Sequence, residues 1–184
     1  PPPVAKPGHG FSHSITSDLG GPLEQAKVFI NGKQETADKY LPDWHVDQAV
    51  QFIEEPKDGP FLLCLFLPGP REPMNYPPGD ENRYAPADLP LPPVPRLNPK
   101  NTPNRLRNTA LIQKCPKQPE ALRQNQSKYY SFVSRVDDNI GRIIQALADA
   151  GLDENTWVVL TADQAPSRQA IADTAAWFAD NLAR

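Results

Sequence analysis

YYSFVSRVDDNIGRIIQALADAGLDENTWVVLTADQ, residues 129–164, carries two periods in succession. From Tyr129 the apolar side chains recur every three or four positions: Phe132, Val133, Val136, Ile140, Ile143, Ile144 and Leu147. That spacing lines one face of an α-helix over residues 120–149. Gly151 stands where helices commonly end, and Asp153 to Asn155 make a turn. The period then collapses into an uninterrupted run, Thr156 to Ala162. Such a run is too short for a helix and reads as a buried strand. It delivers an acid and an amide, Asp163 and Gln164, at its carboxyl end, two residues before Pro166.

The same alternation occurs once more upstream. Residues 43–55, DWHVDQAVQFIEE, put Val46, Ala49, Val50 and Ile53 on one helical face, with Asp43 after Pro42 as the expected N-cap. Pro56, Asp58 and Gly59 break that helix. Phe61–Leu67 follows as a second apolar run, expected to be a strand buried on both faces. VFIN followed by GKQE suggests a hairpin turning at Gly32. Helix, strand, long loop, helix, strand is the order of an α/β protein with a mainly parallel sheet flanked by helices.

The chain has 184 residues, enough for one domain with a sizeable core. Its net charge of −3 gives nucleic-acid binding no electrostatic support. Proline is the outlier, 23 residues where average usage gives about nine. Much of the excess lies in residues 68–119, where PGPREPMNYPP and PADLPLPPVPRLNPKNTPN exclude long helices and central strands. A stretch of this kind inside a compact domain is functional or wraps the surface. No run reaches the ~20 apolar residues of a membrane span. The opening PPPVAKPGHG lacks the order of a signal peptide and reads like the middle of a longer chain.

Cys64 lies within FLLCLFL and is expected to behave as a small core hydrophobe, unbonded to Cys115. His9 and His13 are four apart, but Gly10 and the prolines disfavour a helix there, so no zinc site is expected. His45 reads as a partly exposed packing residue. Arg96, Lys100, Arg105, Arg107, Lys114, Lys117 and Arg123 make a basic stretch, either a solvated loop or a contact surface for sulfated glycans. Asp137 and Arg142 are expected to form structural ion pairs within the helix or between elements. SRQAIADTAAWFADNLAR, with Ile171, Ala175, Phe178 and Leu182, reads as a short amphipathic helix packed on the domain.

Ligand sites in open α/β sheets lie beyond the carboxyl ends of strands. Asp163 holds such an end, and its carboxylate with the Gln164 carbonyl oxygen are hard ligands suited to Ca²⁺ or Mg²⁺. By spacing alone, an Asp in that place serves equally as a helix cap or turn former.

Residues 129–164 resemble the sulfatase family at Tyr130, Val136, Asp137, Asp138, Gly141, Arg142, Gly151, Leu152, Asn155, Thr156, Asp163 and Gln164. VFINGKQETADKYLPDWHVDQAVQFIEEPKDGPFLLCLFLPGPREP is similar to the family's N-G-K, Y, D-x-A-x-x-F-I and K-x-x-P-F-x-L series. RYAPADLPLPP resembles its Y-x-P-x-D-x-x-L-P loop. The resemblance implies a partial alkaline-phosphatase-like fold over residues 1–164, followed by an unrecognised tail, 165–184. It also implies a sulfuric-ester hydrolase that uses a formylglycine nucleophile and a divalent cation, usually Ca²⁺. Asp163 and Gln164 would be two of the cation's ligands. A sulfated small molecule or glycan is the implied partner, and a periplasmic, secreted or lysosome-like compartment the implied address.

Several family features are absent. There is no nucleophile motif of Cys or Ser with Pro two and Arg four residues on, and CPKQP at Cys115 does not supply it. The N-terminal aspartate pair of the metal site is missing. Where the family reads A-P-H-x-P this chain reads GPREP, so Arg71 replaces a histidine. Arg cannot serve as a general acid or base, yet it can fork onto sulfate. No lysine follows Lys128, so the family's catalytic Lys is missing too. The expectation is a sulfatase-like chain inactive by itself, requiring a missing N-terminal half for catalysis, or else a non-catalytic binding module for anionic carbohydrate or a partner protein.

Overall fold

The computed structural model describes residues 10–17, 22–70, 75–91 and 118–161. The hairpin forms as expected. β2 (Lys27–Ile30) and β3 (Lys33–Thr36) pair antiparallel with Ile30 opposite Lys33. The turn is therefore Asn31 and Gly32, whose φ values of 52° and 87° are those of the tight turn that matches hairpin twist. β1 (Ile15–Ser17) pairs antiparallel with the other side of β2, giving the order β1-β2-β3. Val28 is buried with Ala26, Ala37, Leu41 and Trp44, and this cluster joins the sheet to the first helix.

Helix α1 spans Leu41–Glu54 and buries Leu41, Trp44, Val46, Ala49 and Ile53, the face its periodicity implies. Its N-cap is Tyr40, not Asp43. Asp43 lies inside the first turn, where a carboxylate suits the positive end of the helix. The other end is held by Lys57, whose Nζ donates to the carbonyls of Phe52 and Glu55 and sits 4.3 Å from the Phe52 ring centroid.

Helix α2 spans Pro119–Asp149. It ends in a Schellman arrangement: Gly151 donates to Ala148 at 2.9 Å and Leu152 to Leu147 at 2.9 Å. Leu152 then packs with Leu147, Ala146, Ile143, Ile53 and Val50 where the helices meet. The buried face of α2 differs from the expected stripe. Phe132 and Leu147 are buried, but Tyr129, Val133 and Ile144 are exposed, and Ser127, Ser131 and Asn139 are buried in their place. The reason is that a polar loop lies against that face.

Neither Phe61–Leu67 nor Thr156–Thr161 joins a strand ladder among the described residues, and the sheet described, β1-β2-β3, is a separate antiparallel one. Phe61 and Leu63 pack on the α1–α2 cluster. Side chains alternate along an extended chain, so Leu62 (73% exposed) and Phe66 (83% exposed) face outward. Cys64 is a free, exposed thiol rather than a core residue. Val158, Val159 and Leu160 are likewise exposed.

The first extended segment ends where Gly69 meets α2. Gly69 has φ 135° and a Cβ built there would collide with the ring of fully buried Phe132. Gly69→Ala therefore combines a disfavoured backbone with overpacking, and urea unfolding should show a loss of about 1–3 kcal/mol. An unchanged midpoint would contradict the contact.

Candidate functional site

Residues 75–91 lie along α2 and are fastened to it through polar groups. Serines at 127, 131 and 134 share one helical face. Gln124 Nε2 donates to the Tyr76 hydroxyl at 2.9 Å, and that hydroxyl lies 2.8 Å from Ser127 Oγ. Ser127 Oγ in turn donates to the Tyr84 carbonyl at 2.5 Å. A serine has one proton to give, so the Tyr76 hydroxyl donates to Ser127 and the chain of bonds runs one way. Ser131 Oγ donates to the Asp80 carbonyl at 3.3 Å, and the Tyr84 hydroxyl pairs with Ser134 Oγ at 2.7 Å. Arg123 of the basic stretch donates to the Leu89 carbonyl at 3.1 Å.

Arg135 is the centre of this fastening. Its Nε donates to Asp80 at 3.0 Å, one terminal nitrogen to Asp43 at 3.3 Å, and the other to the Pro78 carbonyl at 2.9 Å. One guanidinium thus ties α1, the loop and α2 together. Asn139, also buried, donates to the second Asp43 oxygen at 2.8 Å. Burial disfavours the Arg135 charge, but the hydrogen bond to Asp80 and the charges of Asp43 and Asp80 outweigh it and raise the pKa above the ordinary value.

Two further pairs flank it. Arg83 grips Asp138 with both terminal nitrogens, at 2.5 and 3.1 Å, and this holds the Asp138 carboxyl below its usual range. Arg142 and Lys39 both donate to Asp47 on α1. Burial pushes the Asp47 carboxyl up, but hydrogen bonds from Arg142 and then Lys39 hold it below the usual value. Arg142 accordingly forms the inter-element ion pair expected of it. These contacts join the three stretches quoted above: Asp47 belongs to D-x-A-x-x-F-I, Arg83 precedes Y-x-P, and Asp138 and Arg142 belong to VDD and GR.

The expected chemical groups, Arg71, Asp163 and Gln164, lie outside the described residues. The described chain approaches Arg71 from both sides. Gly69 rests on Phe132 and Tyr76 bonds Ser127, five positions apart on one helix, about 7.5 Å along its axis. A carboxylate and a carbonyl oxygen at 163 and 164 remain a hard donor pair by chemistry. Among the described residues no group of three His, Cys, Asp or Glu could hold a metal. An open cleft of ≈ 460 Å³ is lined by Glu24, Gln25, Asp38, Lys39, Tyr40, Asp43 and Pro78, yet its acids do not converge. Burial, then the Asp43 charge, raises the Tyr40 pKa, which keeps that phenol protonated. His13 Nδ1 lies 3.0 Å from Asn31 Nδ2, while His9 lies outside the described residues.

A family model described as Sulfatase matches residues 4–180. No curated protein and no solved structure matches the chain.

Arg135→Met should cost about 2–4 kcal/mol in urea unfolding, because it strands the partly buried Asp43 and Asp80 carboxylates; a loss under 0.5 kcal/mol, roughly that of an ordinary surface substitution, would contradict the role. His45 is partly buried beside Trp44, its Nδ1 without a partner among the described residues. Burial lowers its pKa from 6.5. The unfolded chain therefore binds the proton more readily, and stability present above pH 6.5 declines as pH falls through that value toward the folded pKa. His45→Gln should flatten this part of a stability–pH curve; an unchanged slope would refute it.

Proposed function

The chain belongs to the sulfatase family, and from that premise we propose that it is a sulfate-ester domain whose own residues bind rather than turn over the ester. The observation that carries this reading is the pairing of Asp47 with Arg142 and of Arg83 with Asp138. Residues matching the family in three separate stretches serve one another as partners, which supports a sulfatase scaffold rather than a chance likeness of short motifs.

The family implies an alkaline-phosphatase-like α/β fold. In the finer reading, Phe61–Leu67 and Thr156–Ala162 are parallel neighbours joined through α2. Phe61 and Leu152 meet in one cluster, so both segments set out from the same end. A strand, crossover helix and strand arranged in this way has a strongly preferred hand. Both carboxyl ends would then point the same way, where Arg71 and Asp163 follow in sequence.

At that edge Asp163 and Gln164 would hold Ca²⁺, or Mg²⁺, through hard oxygens. The cation, when bound, supplies charge neutralisation and orientation for a sulfate group. Arg71 forks onto sulfate oxygens. The chain has no Cys-x-Pro-x-Arg or Ser-x-Pro-x-Arg sequence to provide a nucleophile, and Arg71 occupies the place where a histidine would move a proton. Arg71 also favours a second reading, a non-catalytic module for anionic carbohydrate or a partner protein.

Incubated with an aryl sulfate and Ca²⁺, the chain should release no phenol above background. Turnover that disappears in Asp163→Ala would overturn the reading of inactivity. In calorimetry Ca²⁺ should bind weakly at one site and lose that heat in Asp163→Ala. Identical heats from the two proteins would remove Asp163 from the metal site.

A further inference from the structure

The hairpin turn combines a reactive sequence with a tight restraint. Asn31–Gly32 is the only Asn–Gly pair in the chain. Glycine has no side chain, so the Gly32 amide nitrogen is unhindered for attack on the Asn31 side-chain carbonyl carbon. Three hydrogen bonds hold Asn31 to the residues that lead into β1. Its backbone N–H donates to the Ser14 carbonyl at 2.9 Å, its Oδ1 accepts from the Ser14 N–H at 2.9 Å, and its Nδ2 lies 3.0 Å from His13 Nδ1. An amide nitrogen has only protons to give, so Nδ2 donates and His13 Nδ1 accepts. Both ends of the side-chain amide are therefore pinned, although Asn31 itself is exposed.

We propose that Asn31 is a latent self-modification site, an asparagine that cyclises and deamidates only when β1 leaves the hairpin. In the reaction Gly32 N bonds to Asn31 Cγ and loses its proton, the Cγ–Nδ2 bond breaks, and ammonia carries that nitrogen away. Water then opens the five-membered imide. Opening at Cγ gives aspartate, whereas opening at the main-chain carbonyl gives isoaspartate, whose backbone runs through Cβ and Cγ. No atom is oxidised or reduced. Ring closure requires the Asn31 amide to swing onto Gly32 N and the main chain to leave its tight-turn conformation, φ 52°. The three bonds to His13 and Ser14 oppose both movements. β1 is a three-residue strand at the edge of its sheet, and such an element opens far more readily than a core. Isoaspartate adds a backbone atom to the turn that sets the β2–β3 register. A hairpin that has opened and reacted therefore cannot close again in the same register, and β1 guards a one-way change.

The test follows deamidation at residue 31 by peptide mapping and mass spectrometry of the full chain, incubated in mildly alkaline buffer with and without urea. Folded, the unaltered chain should react at least about tenfold more slowly than in urea, because the reaction proceeds through a small open population. His13→Ala changes an exposed residue and removes one restraint. It should raise the folded rate about 2- to 10-fold, the worth of one hydrogen bond, and leave the rate in urea unchanged. Ser14→Pro deletes the N–H bonded to Asn31 Oδ1 and should act in the same direction. The isoaspartate form, separated by chromatography, should exchange the amides of β2 and β3 rapidly while those of α2 stay protected. Equal rates with and without urea would overturn the proposal, as would folded rates indifferent to both substitutions. An isoaspartate form with β2 and β3 still protected would overturn the one-way change.

Discussion

The contacts of Arg135 are the constraint on which the described structure depends. From α2 its guanidinium bonds the first turn of α1 through Asp43 and the loop 75–91 through Asp80 and the Pro78 carbonyl. That loop is rich in proline and has a single 3-10 turn, Pro86–Asp88, so it cannot satisfy itself by regular backbone pairing. Side chains of α2 do the work instead. This explains why a long helix buries Ser127, Ser131 and Asn139. Buried polar groups are tolerated only when bonded, and here each has a partner.

Apolar packing handles the two ends. The hairpin and the start of α1 close over Val28, while the end of α1 and the end of α2 close over Ile53 and Leu147. Between them Tyr40 meets Phe132 edge-on, with ring centroids 6.3 Å apart. Phe132 also receives Gly69, so one ring connects the packing of the helices to the exit of the first extended segment. From there the chain proceeds to Arg71. The scaffold thus controls where the segment leaves α2, and the polar fastening of Tyr76 and Tyr84 controls where it returns.

Local signals carried much of this into the sequence. The Asn31–Gly32 turn, the buried face of α1, the span of α2 and its stop at Gly151 each follow from residue types at fixed offsets. What could not be read was the identity of neighbours. Asp43 has the composition of a cap, but Arg135 and Asn139, more than ninety positions away, take its oxygens. FLLCLFL has the composition of a strand covered on both faces, yet composition cannot say that a covering layer is present, and among the described residues one face is open. The serines at 127, 131 and 134 were a legible signal: three small hydroxyls sharing one face of an amphipathic helix mark a close polar partner. The chemical groups themselves, Arg71, Asp163 and Gln164, rest on resemblance and on the chemistry of their side chains.

The claim at the centre is that a polar knot, more than apolar burial, holds the proline-rich loop to its helix. Hydrogen exchange resolved by residue tests it most directly. In Arg135→Met the amides of Asp80, Arg83, Asp88 and Leu89, which are bonded within the loop, should lose protection together while those of β2, β3 and the α1 core keep theirs. Unchanged protection across 75–91, or an equal loss throughout the molecule, would contradict it.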